Sequence, residues 1–271
     1  VNLRIENVSF WYTVRPVLQH ISFEVQTGEF LSLIGPNGSG KTTLLRLLAR
    51  LHSPSSGRIL LDDLKLSGYS HADIARHIAY VPQDHPTVFP FTVMEVVLMG
   101  RSPHLRGIGF ERPADIAIAR EMMELTDIGD LADHPITALS GGERQRAYLA
   151  RALAQQASIL LLDEPNAHLD IAHQLSIFTI IKHLKTRQAL TVISVSHDLN
   201  LAAVYSDRII MLHEGEIAAL GTPIEVLTSP LISRVFGTPV LVDRHPWNNI
   251  PRITITPVEL SEGEDRSRAM N

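Results

Sequence analysis

The sequence predicts an α/β protein with a parallel-sheet core, and three stretches carry that prediction. Phe30-Leu31-Ser32-Leu33-Ile34 runs into Gly35-Pro36-Asn37-Gly38-Ser39-Gly40-Lys41-Thr42 and then Thr43–Leu48, which reads as strand, glycine-rich turn, helix. The apolar run Ile159–Leu162 ends in Asp163 and Glu164. Leu190–Val195 ends at Ser196-His197-Asp198. Apolar strands with polar residues gathered at their carboxyl ends are expected where helices cover both faces of a sheet and a site lies at its edge.

The first stretch matches G-x-x-x-x-G-K-T between a strand and a helix, the pattern of a P-loop. Its glycines allow a tight turn in which successive N–H groups face one anion. The following helix N-terminus adds partial positive charge. Lys41 is placed to reach the β- and γ-phosphates of a nucleotide, and the Thr42 hydroxyl suits Mg²⁺.

Composition narrows the class. The 271 residues are 45% hydrophobic, with 24 basic and 29 acidic side chains and a formal net charge of −5. That balance gives no electrostatic reason to expect nucleic acid or an anionic membrane as the main partner. Without cysteine there is no disulfide framework, thiolate nucleophile or thiolate metal site. The opening VNLRIENVSF lacks the basic region and apolar core of a secretory signal. No run approaches the roughly 18 to 20 apolar residues of a spanning helix. The expectation is a soluble, cytoplasmic protein able to dock on a membrane protein.

In chain order, residues 3–10 and 17–25 alternate as strands around an exposed turn, Trp11–Pro16. The aromatics Trp11 and Tyr12 suit either stacking on a base or plain packing. Ser53–Gly57 signals a loop, Arg58–Leu61 a strand, Asp62-Asp63 a turn, 71–77 a short helix and Ile78–Val81 a buried strand ending at Pro82-Gln83. From Asp84 to about Ala157, proline and glycine break the chain into turns and helices, a mainly helical lobe inserted into the α/β core. Within it Thr92-Val93-Met94-Glu95 has capping-box spacing, and 114–125 carries apolar residues at helical spacing, its methionines reading as core filler.

Ser140-Gly141-Gly142-Glu143 begins a helix to about Gln156, either a solvated basic face or a second helix start able to meet an anion. Asp163 suits Mg²⁺, and Glu164 is placed to accept or orient a proton of an attacking water. His197 is placed to hydrogen-bond a terminal phosphate or that water. No G-x-S-x-G elbow accompanies Ser196-His197-Asp198, which excludes the usual serine-hydrolase arrangement. After the 171–185 helix, a 199–204 helix and a 208–220 hairpin, Thr222-Pro223 starts the last helix expected. Stretches 239–242 and 252–256 alternate as a small β appendage, followed by a polar tail.

With these parts in order, residues 1–228 resemble the ATPase subunits of ABC transporters. Gly35–Thr42 looks like Walker A, Gln83 the Q-loop, Leu139-Ser140-Gly141-Gly142-Glu143 the ABC signature, and Leu160–Asp163 with Glu164 Walker B and the catalytic glutamate. Asn166-Ala167-His168-Leu169-Asp170 resembles the D-loop, although relatives usually carry Thr or Ser at position 166. His197 resembles the switch histidine, and Tyr12, 29 residues before Lys41, the adenine-stacking aromatic. The resemblance implies a P-loop NTPase core with an antiparallel β subdomain, a helical subdomain at 84–157 and an extension at 229–271.

It further implies that ATP and Mg²⁺ bind at Tyr12, Gly35–Thr43, Gln83 and Asp163, with Gln83, Glu164 and His197 catalytic. The implied assembly is a head-to-tail homodimer in which the signature contacts ATP in trans. An integral membrane permease dimer at the cytoplasmic face and, indirectly, a periplasmic or lipoprotein substrate-binding protein would be the partners, and nucleic acid would not.

Met99-Gly100-Arg101-Ser102-Pro103-His104 and Ala167–Asp170 resemble segments of importers for siderophores, heme, cobalamin and related metal chelates. An iron(III)-siderophore complex is the first expectation, with heme, cobalamin, molybdate and zinc or manganese as alternatives. The segment near residue 100 would help meet the permease or serve as a helix connector. The extension would be regulatory or passive. Soluble ABC ATPases of translation or DNA maintenance are the rival class, but they commonly carry two cassettes or a long coiled-coil insertion.

Overall fold

The computed structural model describes residues 2–83, 89–105, 111–165, 169–246 and 249–255. Strands β1 (Leu3–Trp11) and β2 (Pro16–Val25) precede β3 (Phe30–Ile34), α1 (Lys41–Leu48), β4 (Ser56–Leu61), β5 (Leu64–Lys65), α2 (His71–His77) and β6 (Ile78–Val81). An antiparallel sheet forms in the order β2-β1-β4-β5. Asp62 and Asp63 both take left-handed φ, 47° and 65°, as a two-residue hairpin turn demands.

The helical part holds α3 (Val93–Leu98), a 3₁₀ segment Met99–His104, α4 (Pro113–Leu125) and α5 (Gly141–Ala154). Thr92 caps α3 reciprocally with Glu95, and Ser140 caps α5 reciprocally with Glu143, so both starts follow the capping-box spacing of the sequence. Met122 and Met123 are buried among apolar side chains.

Strand β7 (Ile159–Asp163), α6 (Ile171–Gln188), β8 (Thr191–Val195), α7 (Leu199–Tyr205), β9 (Arg208–His213) and β10 (Glu216–Gly221) complete a six-stranded sheet ordered β10-β9-β3-β8-β7-β6. All neighbours in it are parallel except β9 and β10. β3, β7 and β8 are buried along their whole length, which explains their unbroken apolar sequence. One face of this sheet packs with α1, α2 and the antiparallel sheet, and the other with α3–α6.

The chain does not end its helices at α8 (Pro223–Val226), as the sequence suggests. A further helix, α9 (Ser229–Phe236), follows and closes on Gly237 at φ 68°. Its Ile232 and Val235 are buried with Ile34, Ile209 and Met211, so its amphipathic face is satisfied by the central sheet. The antiparallel hairpin β11 (Val240–Arg244) and β12 (Pro251–Ile255) rests on the same cluster through Val240, Val242 and Ile253.

Candidate nucleotide site

The carboxyl ends of four parallel strands supply the site. β3 leads into the loop 35–40, β6 into Gln83, β7 into Glu164 and β8 into His197. Gly35 has φ 147°, and a Cβ there would collide with the Leu212 carbonyl. Gly38 and Gly40 take φ of 79° and 100°, which L side chains rarely adopt. These values are why the loop needs its glycines. Helix α1 starts at Gly40 with no side-chain cap and no acid in its first turn, leaving the first N–H groups for an anion. Ser39 Oγ is buried without a partner among the described residues, a further donor beside Gly35.

Lys41 is buried, and its Nζ donates to the carbonyls of Gly35 and Pro36, 2.9 Å each. Burial pulls its pKa below the usual lysine value, and the charges of Glu164 and Asp163 oppose that fall. Thr42 Oγ1 donates to Asp163 Oδ1 at 3.0 Å. Tyr80 Oη donates to Asp163 Oδ2 at 3.2 Å. Burial raises the Asp163 pKa, while these two hydrogen bonds restrain the rise. Burial, followed by the Asp163 charge, pushes the Tyr80 phenol up to about 12, so it stays a donor. Tyr80 went unremarked in the sequence; its place on β6, three residues before Gln83, was the only signal.

Glu164 sits at φ 51°, a left-handed conformation that turns its side chain off the end of β7. Gln83 Nε2 donates to its Oε2 at 2.8 Å, and His197 Nε2 lies 2.6 Å from its Oε1. Val17, Asn37, Gly38, Gly40, Lys41, Thr42, Thr43, Glu164 and His197 line one open cleft. Tyr12 is half-exposed at the start of the turn that follows β1, edge-on to Phe10 and His52 at 4.8 and 5.5 Å between ring centres.

The signature residues lie outside that cleft. Ser140 Oγ accepts from Glu143 N–H, and the Glu143 carboxylate accepts from Ser140 N–H at 2.8 Å, so Glu143 faces its own helix start. Leu139 is a core residue. Ser140 and Gly141 are exposed, and nothing within 4 Å would meet a Cβ on Gly141. Asn166, Ala167 and His168 lie outside the described residues. Leu169 packs against the core, and Asp170 caps α6 through His173 N–H at 2.9 Å.

The Met99–His104 segment turns its polar groups inward. Arg101 is buried and donates to Asp115 at 3.0 Å, to the Ala154 carbonyl at 2.8 Å and to Gln156 at 3.0 Å. His104 Nε2 meets the Gln155 carbonyl at 2.8 Å. A Cβ on Gly100 would collide with the Arg151 carbonyl. Gln155 in turn donates to the carbonyls of Ala75 and Ile78, 2.5 and 2.8 Å. Arg101 and His104 therefore brace the carboxyl end of α5.

The donor set fits a nucleotide with Mg²⁺. Hydroxyl and carboxylate oxygens from Thr42 and Asp163 are hard donors suited to that ion, and loop N–H groups with Lys41 suit phosphates. These are the working parts of a P-loop nucleotide hydrolase.

A family model described as ABC transporter matches residues 18–167. The hemin import ATP-binding protein HmuV of Rhodococcus jostii (strain RHA1) is 43% identical over 91% of this chain and 83% of its own length. The ferric enterobactin transport ATP-binding protein FepC of Escherichia coli (strain K12) is 38% identical over 93% of each chain. Among solved structures, a transporter described as of metal-chelate type, facing inward, superposes with a TM-score of 0.82 at 29% identity, covering 93% of this chain and 96% of that one. The dimeric post-hydrolysis structure of the ATP-binding cassette MJ0796, bound to ADP and Pi, gives a TM-score of 0.73 at 28% identity, covering 81% and 98%. The chain belongs to the ABC transporter family, as an ATP-binding and ATP-hydrolysing subunit with the P-loop core, mixed sheet and helical subdomain of its cassettes. No helix among the described residues is long and apolar enough to cross a membrane.

Proposed function

We propose that this chain is the motor of a metal-chelate importer, with a heme-type chelate as its cargo. The Glu164 carboxylate, held between Gln83 and His197 beside the P-loop, carries the hydrolytic part of the reading. Glu164 accepts a proton from the attacking water, His197 meets the terminal phosphate, and Gln83 senses the same water from the adjoining strand. Lys41 and the loop N–H groups bind the phosphates, with Tyr12 stacking on the base. Mg²⁺, when bound, would neutralise charge on the phosphates, and Thr42, Asp163 and Gln83 are the residues that would hold or sense it.

The helix start at Ser140–Gly142, with Ser140 and Gly141 exposed and outside its own cleft, supports a head-to-tail pair in which it completes the partner's site. The dimeric state of the MJ0796 cassette, bound to ADP and Pi, supports pairing. In this reading residues 1–228 are the cassette, 84–157 its helical lobe, and 229–271 an extension. The pair seats on the cytoplasmic side of an integral membrane permease dimer, served indirectly by a substrate-binding protein.

The cargo proposed differs from the first expectation of the sequence. Greater identity to the hemin import protein (43%) than to the ferric enterobactin protein (38%) favours heme over an iron siderophore. The test is reconstitution with the cognate permease and binding protein in liposomes, comparing ATP-driven uptake of hemin, a ferric siderophore and cobalamin. Hemin preference supports the proposal. Preference for the siderophore restores the first expectation, and strict preference for an unchelated divalent metal overturns the chelate reading.

A further inference from the structure

The loop that carries His197 is anchored from outside the nucleotide cleft. Asn200, in the first turn of α7, engages both polar groups of one β12 residue. Ile253 N–H donates to Asn200 Oδ1 at 2.8 Å, and Asn200 Nδ2 donates to the Ile253 carbonyl at 3.2 Å. In the β11–β12 ladder Ile253 stands opposite Val242, and Val242 N–H itself donates outward, to Ser229 Oγ at 3.1 Å. Alternate pairs of an antiparallel ribbon turn their N–H and C=O groups away from each other, and this is such a pair. The hairpin is thus held on one edge by α9 and on the other by α7, with the Asn200 amide standing where a third strand would.

The segment between Ser196 and Leu201 is itself tightly tied. Asp198 Oδ1 accepts from the N–H groups of Asn200 and Leu201 at 2.8 and 3.0 Å. Ser196 Oγ accepts from Asp198 N–H at 3.1 Å and donates to its carbonyl at 3.0 Å. Leu199 and Ile253 pack on the same apolar cluster. His197 therefore lies in a short stiff turn whose outer anchor is Asn200.

We infer that Asn200 is a positioning residue for His197 and that the β11–β12 hairpin is the strut it works against. The inference rests on the reading of His197 as part of the hydrolytic site. It gives the carboxyl-terminal segment a part in turnover: lifting the hairpin loosens His197 and slows hydrolysis. ATP binding is spared, because residues 35–43 lie outside this bond network.

The test uses the full chain and compares ATPase kinetics of Asn200→Ala, Ile253→Pro, His197→Ala and Asn200→Ala combined with His197→Ala. Ile253→Pro removes the N–H that Asn200 accepts from while leaving the ladder bonds in place. The expected result is a loss in kcat of about fivefold to tenfold for Asn200→Ala and Ile253→Pro, with KM for ATP within about twofold of wild type. Asn200→Ala adds no loss to His197→Ala, because both act through one group. Unchanged kcat in Asn200→Ala and Ile253→Pro, even with a lowered Tm, overturns the strut while the His197 loss stands. A fully additive double variant overturns it too. Full turnover in His197→Ala removes the hydrolytic reading of that residue, and the strut with it.

Discussion

Glu164 Oε1 lies 2.6 Å from His197 Nε2, while Gln83 Nε2 donates to Glu164 Oε2 at 2.8 Å. The three residues follow β8, β7 and β6, neighbouring strands of one sheet, so a single carboxylate is gripped from the strands on both sides. Glu164→Gln keeps the shape and removes the basic oxygen. Phosphate release should fall at least about 100-fold, while ATP binding and ATP-induced dimerisation persist on size exclusion. Unchanged turnover would remove Glu164 as the proton acceptor.

Lys41 is a desolvated cation satisfied by two carbonyls of its own loop. Lys41→Ala removes the proposed phosphate ligand and also an ion that burial disfavours. The unliganded variant should melt within a few degrees of wild type, whereas the Tm rise produced by ATP with Mg²⁺ should vanish. A preserved nucleotide-dependent rise would contradict the role given to Lys41.

Tyr80 Oη supports one oxygen of Asp163 and Thr42 Oγ1 the other. Tyr80→Phe deletes one donor to a buried carboxylate without changing the packing volume. The Mg²⁺ concentration for half-maximal ATPase activity should shift several-fold, because the carboxylate is less firmly oriented. Identical Mg²⁺ titrations for both proteins would show that Thr42 alone suffices.

Asp115 is fully buried, paired with Arg101 at 3.0 Å and Arg112 at 3.1 Å. The Arg112 hydrogen bond, followed by its backbone N–H and Arg101, outweighs burial and holds the carboxyl at about 2, against 3.8 unperturbed. A depressed acid stabilises the fold above its unfolded pKa and loses that contribution as pH falls through the folded one. Asp115→Asn should cost about 3 kcal/mol at neutral pH by stranding Arg101, with the difference from wild type narrowing between about pH 4 and pH 2. Urea unfolding across that range measures both, and a constant difference would refute the linkage.

The parts legible in the sequence are those specified by neighbours in the chain. Gly35, Gly38 and Gly40 announce a loop whose φ values need them, and Thr92 and Ser140 announce caps satisfied three residues later. Arg101 was less legible, because a basic residue on a turn reads equally as solvated, and its partners lie 14 to 55 positions away. Asn200 looks like an ordinary helix residue until β12, 53 positions on, arrives beside it. Helix α9 falls in the stretch expected as an extension, and its apolar face is satisfied by Ile34, Ile209 and Met211, which are distant in the chain.

The bracing of α5 at one end has a mechanical meaning. Arg101, His104 and Gln155 fix residues 154–156 against α2, β6 and the 3₁₀ segment, while Ser140 at the other end is exposed. Were the helical lobe to swing, the helix would act as a lever with its fulcrum at the carboxyl end. Its 14 residues span roughly 21 Å, so a tilt of about 10° about that fulcrum carries the serine through roughly 4 Å. A displacement of that size would make or break a hydrogen bond, so in the proposed pair a slight swing of the helical lobe would be read out at its tip as contact or none.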